Sequence, residues 1–228
     1  MRTLTFTIAA AVLAAPLFSA EEGKFMERFE DSAALLSEVM SAPDKSIPQD
    51  LLNKAACIVL VPGLKKGAFV VGAKYGRGFA ICRAEGGQGW GPPAAISIEG
   101  GSFGAQIGVS SSDVILLVMN ERGMTRLMSD KFTIGADATA AAGPVGRNAT
   151  AQTDAMMTAE ILSWSRSRGA FIGASLDGAT LRSDIEQNKA MYGKPWTSRQ
   201  ILNSAATSPA AARKLLDLLS KYSMRKVG

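Results

Sequence analysis

Residues 131–147, KFTIGADATAAAGPVGR, hold Gly135, Ala136, Ala138, Ala140, Ala141, Ala142, Gly143 and Gly146, with few bulky side chains between them. Side chains this small add little apolar area to a core. They serve where one backbone must approach another closely, or where φ must be positive. Asp137 and Arg147 are the only charges after Lys131, and Gly143-Pro144 punctuates the run as a turn. The stretch predicts a tight strand and turn inside a packed sheet, and it contains no catalytic group.

The rest of the chain supplies the core that such a stretch needs. An apolar content of 47% argues against disorder, and 23 glycines without collagen periodicity suit a turn-rich β fold. Short apolar runs separated by Gly, Pro, Ser and Asp predict strands at 57–61, 68–73, 78–83, 94–99, 104–109 and 114–120. Further extended segments are expected at 133–142, 160–166 and 170–176. Helical spacing predicts helices over 24–42, 46–56 and 121–129. It does the same over 184–192, where Gly193 is the stop and Pro195 follows. Thr197 is set to cap a helix over 198–206, and Ser208-Pro209 opens a last one. The pattern reads as α+β: an antiparallel, barrel-like β-sheet flanked by N- and C-terminal helices.

Residues 1–20 have the shape of a secretory signal peptide. Arg2 forms a thin n-region, 4–17 an apolar core, and Ser19-Ala20 a small-residue exit before Glu21-Glu22. The apolar run is short for a membrane span, and no cysteine near its end offers a lipid anchor. A periplasmic or secreted protein is expected, with one domain over 21–228. Net charge is +5, or +4 once Arg2 is removed with the leader. Cys57 and Cys82 both sit in apolar strand-like runs, and two readings stand. In an oxidising compartment they form one disulfide; otherwise they are two buried thiols.

Four blocks, in order, resemble the SYLF-domain family of lipid-binding proteins, in the form of a bacterial exported member. These are 61–83 (VPGLKKGAFVVGAKYGRGFAICR), 90–108 (WGPPAAISIEGGSFGAQIG), 132–149 (FTIGADATAAAGPVGRNA) and 160–181 (EILSWSRSRGAFIGASLDGATL). They span most of a family core at 47–193, with C-terminal helices over 197–225 beyond it. The resemblance implies membrane-lipid binding; eukaryotic members are associated with phosphoinositides and actin-linked membrane traffic. In those relatives an N-terminal amphipathic segment is credited with lipid contact. Here that helix carries Glu27, Glu30, Asp31 and Glu38 against Lys24 and Arg28, a balance that anionic lipid repels. Packing against the sheet is the role expected of it.

Chemistry is constrained by inventory. The chain has no histidine. Gly100-Gly101-Ser102-Phe103-Gly104 matches a nucleophile elbow by pattern, yet the serine has no imidazole to take its proton, and its flanks read strand–turn–strand. Gly72, Gly76 and Gly78 miss the dinucleotide spacing, and there is no phosphate-binding P-loop. Zinc sites of His and Cys are excluded. Asp137, Asp154, Glu160 and Asp177 are scattered turn formers or ion-pair partners more than a hard-metal set. No cofactor is expected, and the chain reads as a non-enzyme. Nucleic acid is not a partner, for want of clustered Lys and Arg with stacking aromatics.

Binding features remain. Lys65-Lys66 fall in 62–67, read as a turn-like loop between apolar strands. Lys74 and Arg77 lie near enough in sequence to share its rim, while Arg166 and Arg168 offer a second positive patch or structural ion pairs. Each Lys or Arg near an anionic bilayer is worth about 1 kcal/mol. The last helix, with Leu215, Leu218, Leu219 and Tyr222 on one side and Lys214, Lys221 and Arg225 on another, suits either a membrane interface or docking on the sheet. The functional expectation is a protein that binds anionic phospholipid headgroups or a membrane surface. The alternative is an envelope structural or protein-interaction module, with an envelope or host protein as partner.

Overall fold

Cys57, Ile58, Val59, Leu60 and Val61 are all fully buried, a run too continuous for a strand with one wet face. Both faces of the sheet around them must therefore be covered. The computed structural model shows how. It describes residues 16–42, 46–68, 71–84, 86, 89–103, 108–145, 158–167, 170–173 and 176–223.

Four long strands form the centre: β1 (Cys57–Ala68), β2 (Val71–Cys82), β3 (Ala94–Phe103) and β4 (Gly108–Val118). Five short ones follow: β5 (Lys131–Thr133), β6 (Ala140–Ala142), β7 (Ile161–Ser167), β8 (Ala170–Gly173) and β9 (Thr180–Ser183). The sheet runs β5-β9-β3-β2-β1-β4-β7-β6, with β8 paired to β7 off this path. Each pairing is antiparallel except β6 with β7.

The two ends of the path, β5 and β6, are neighbours in sequence. Residues 134–139 join them, with Ile134 bridged to Ala138. A sheet whose first and last strands meet at a short turn has to curl, and this one closes as a half-barrel. The small residues of 131–147 lie at that seam. Gly135 takes φ 85°, and a Cβ on Gly143 would stand 2.1 Å from the Trp164 ring. Trp164 is fully buried, and its Nε1 donates to the Pro144 carbonyl at 2.9 Å.

Residues of β1–β4 alternate between two cores. Inside the curl, Val59, Val61, Ile96, Ile98, Val114 and Leu116 pack with Phe132, Ile134 and Leu181. Outside it, Ile58, Leu60, Phe79, Ile81, Ile115 and Leu117 meet the helices. Those are α1 (Pro16–Ser41), α2 (Gln49–Lys54) and α6 (Arg213–Tyr222). Phe29 of α1 stacks on Phe79 with ring centroids 3.8 Å apart. Glu30 pairs with Lys214, and Arg28 donates to Gln187. α1 thus spends its apolar stripe on the sheet and part of its charge on neighbouring elements. α6 does likewise: Leu215 and Leu219 are fully buried in the same outer core. Its stripe docks and is not available to a membrane; Arg225 lies outside the described residues.

Three more helices complete the chain: α3 (Glu121–Leu127), α4 (Ile185–Tyr192) and α5 (Ser198–Leu202), with a 3-10 turn at Ala210–Ala212. Asp184 caps α4 through the Gln187 amide, and Gly193 ends it at φ 72°. Thr197 and Gln200 form a reciprocal capping box on α5. Arg83 ties two helix ends together by donating to the carbonyls of Leu52 (3.1 Å) and Ser223 (2.9 Å). Its guanidinium also lies 4.0 Å over the Trp90 ring. Cys57 and Cys82, directly opposed in the β1–β2 register, are joined in a disulfide with S–S 2.04 Å.

Several expected boundaries moved. The strand expected at 68–73 straddles the end of one 12-residue strand and the start of the next. The strand expected at 104–109 lies mostly outside the described residues; its described part, Gly108 and Val109, opens β4. β9 went unanticipated, although it inserts between β3 and β5. α1 begins at Pro16, so the expected leader exit at Ser19-Ala20 lies within a helix. α5 stops at Leu202, short of the expected 206.

Candidate functional site

Past the two cores, β1–β4 run on into a projecting end. Between Val61 and Leu64 the register shifts by a bulge. Gly63 takes φ 63° there, and its N–H donates to Asp113 Oδ1 at 2.8 Å. This corrects the reading of 62–67 as a loop: Lys65 and Lys66 are strand residues, inside β1.

Strand periodicity then sorts the cations. Leu64 packs in the inner core, so Lys66, two residues on, emerges on the same inner side. Directly across from it stand Lys74 of β2 and Ser110 of β4. Lys65 points the other way, opposite Tyr75 and Ser111. Lys66 and Lys74 are therefore a like-charge cross-strand pair, an arrangement that destabilises a sheet. The Lys66 ammonium is held below its ordinary pKa of 10.5, first by burial and then by the charge on Lys74. Ser112, which faces Leu64 across β1 and β4, is buried with a hydroxyl that has no hydrogen-bond partner among the described residues. The same end carries large apolar side chains in the open: Val109 is 85% exposed and Tyr75 45%.

The arginines behave differently. Arg77 Nε lies 3.2 Å from Asp184 Oδ2 and donates to the Tyr75 hydroxyl at 2.7 Å. Arg166 grips Asp113 Oδ2 through Nε at 2.7 Å and Nη2 at 2.6 Å, and also pairs with Glu38 of α1. Arg166 is thus a clamp between strand and helix. Arg168 lies outside the described residues. Of the six cations expected to bind lipid, the structure brings together Lys65, Lys66 and Lys74 at one end and engages Arg77 and Arg166 with carboxylates.

Sequence reading overlooked Tyr75, Val109, Ser110 and Ser112 as part of this end. The signal was symmetry: Lys66 and Lys74 are equidistant from residue 70, as facing positions of one hairpin must be. Reading a loop at 62–67 hid it.

The remaining candidates carry structure. Residues 100–103 are in β3, with no strand-to-helix elbow at Ser102. Asp137 Oδ2 accepts the Thr133 amide at 2.7 Å, and Glu160 Oε2 the Thr139 amide at 2.9 Å. Asp154 lies outside the described residues. No three His, Cys, Asp or Glu come together to hold a metal among the described residues, and none of their helices is long and apolar enough to cross a membrane.

Comparison with known proteins adds to this geometry. The family described as "Ysc84: Las17-binding protein actin regulator" matches residues 99–222. SH3 domain-containing YSC84-like protein 1 of Xenopus laevis is 32% identical over 184 residues, 80% of this chain and 54% of that protein. Its Homo sapiens counterpart is 31% identical over 183 residues, 80% of this chain and 53% of that protein. Protein YSC84 of Saccharomyces cerevisiae is 31% identical over 180 residues, 77% of this chain and 38% of that protein. The chain spans about half the length of the vertebrate relatives it matches.

Proposed function

This chain belongs to the Ysc84 family, also called SYLF, and on that premise we propose that it is a non-enzymatic lipid-binding protein that recognises anionic phospholipid headgroups with the lysine-bearing end of its sheet. The observation that carries the reading is the Lys66–Lys74 pair. Two ammonium groups held across one strand pair repel each other, and a phosphate between them turns that repulsion into two favourable contacts. Ser110 and Ser112 lie on the same inner side and can complete the headgroup's hydrogen bonds. Lys65 adds a third cation from the outer side.

Exposed Val109 and Tyr75 suit the boundary between headgroups and acyl chains, where an apolar body beside cations is at home. Three lysines at about 1 kcal/mol each give weak, reversible attachment that salt screens. Cosedimentation with vesicles containing phosphatidylglycerol should fall with rising salt, and Lys66→Glu with Lys74→Glu should abolish it. Binding that survives both charge reversals would overturn the assignment of this end.

A second reading is a protein-interaction module without a lipid role. Its support is the description of the family as Las17-binding and actin-regulating, together with the packing of acidic α1 against the sheet. Failure to bind vesicles of any charge, together with capture of a defined protein partner, would favour it. Export through a cleaved leader, leaving 21–228 as one periplasmic or secreted domain, belongs to the proposal; the N-terminal mass of the secreted protein tests it.

A further inference from the structure

A polar cleft of about 830 Å³ lies between α3, β5 and α5. Its walls carry four cations: Arg122 and Arg126 on α3, Lys131 on β5 and Arg199 on α5. Among the described residues none of the four is ion-paired; Arg199 only donates Nε to the Met128 carbonyl at 3.0 Å. Three carboxylates share the cleft: Glu121, Asp137, which accepts the Thr133 amide, and Glu160, which accepts the Thr139 amide. Four cations against three carboxylates leave the cleft one charge positive, with both helical arginines on one wall.

From this arrangement we infer a second binding site, for a carboxylate-rich extended peptide of a partner protein. Arg122 and Arg126 are one helical turn apart, about 5–6 Å between Cβ atoms. Alternate residues of an extended chain repeat every ~6.6 Å, so acidic side chains at every second position meet successive arginines. A lone phosphate would need the cations to converge on one point, whereas these are spread over three elements. A flat bilayer is excluded by shape, since the cations line a concavity. Position agrees: α3 leaves the Val118 end of β4, about 25 Å along that strand from Ser110 at ~3.3 Å per residue. A membrane held at the lysine end leaves the arginine cleft facing away from it.

The test uses the full chain and a fluorescent deca-glutamate peptide, followed by anisotropy at low and physiological salt. Wild-type protein should bind the peptide in a salt-dependent way. R122Q/R126Q should weaken binding at least about tenfold, as expected when two charge-assisted contacts are lost. Lys66→Glu with Lys74→Glu should leave peptide binding unchanged, and R122Q/R126Q should leave vesicle cosedimentation unchanged. No peptide binding by the wild type at low salt would overturn the site, as would binding indifferent to R122Q/R126Q. Loss of vesicle binding in R122Q/R126Q would reassign the cleft to headgroups and also overturn it. Circular dichroism of the variant excludes unfolding as the cause. The lipid reading fails separately, through the lysine variants.

Discussion

Two residues show how local geometry sets what this chain tolerates. Gly143 leaves no room for a methyl group, because the fully buried Trp164 ring occupies the space its Cβ would fill. Gly143→Ala should therefore destabilise the fold by about 1–3 kcal/mol, the usual cost of overpacking, read as a lower urea midpoint. Lys66 poses the opposite case, a residue that costs stability for the sake of binding. Its pKa is depressed in the folded state, so the folded protein binds fewer protons than the unfolded chain as pH approaches 10.5. The Lys66 contribution to stability therefore rises with pH across the window between the depressed value and 10.5, against the opposite contribution of part-buried Tyr192, whose pKa is raised. Lys66→Met should remove that rise. Lys74→Gln should shrink it and stabilise the protein by about 0.5 kcal/mol near neutrality, as expected for relief of a like-charge cross-strand pair. Urea titrations across the alkaline range check both.

At the scale of elements, the two terminal helices hold the outer core, and α6 joins it through two leucines. Leu219→Ala should cost about 2–5 kcal/mol, as deletion of a fully buried leucine does, measured by thermal or urea unfolding. Vesicle binding per folded molecule should stay the same, since the stripe faces α1 and not lipid. Helices were the legible part of this sequence: Asp184, Gly193 and Thr197 are capping residues whose chemistry is local, and each ends or begins a helix where it should. Strand extents were less legible. Glycines at 63, 67 and 76 read as punctuation, yet β1 and β2 continue through them, with a bulge at Gly63, because pairing with the flanking strands supplies the order that their backbones lack. β9 was invisible for a related reason. Thr-Leu-Arg-Ser has one buried apolar residue, Leu181, and its place is set by Ile98 and Phe132, 83 and 49 positions away. The lysine pair followed the strands: once the hairpin is drawn, its register places Lys66 against Lys74.

For the whole molecule, two features set stability and use. The Cys57–Cys82 bridge closes a segment of 25 residues. In the chain-entropy account a loop of that size is worth about 3.5 kcal/mol. Unfolding in a reducing agent should show a loss of that order, and the double Cys→Ala variant should show none on reduction. The bridge joins strands already paired, so the β1–β2 register should persist without it. The curl of the sheet has a further effect. Among the described residues its unpaired margins are brief: β5 and β6 offer three residues each, β8 four, β3 four beyond its partner β9, and β4 five, Gly108–Ser112, beyond its partner β7. A strand from another molecule needs a longer ledge than that to add itself. A protein with 47% apolar residues and four long strands should for this reason stay dispersed at concentrations where an open sheet of the same strands would assemble into fibres.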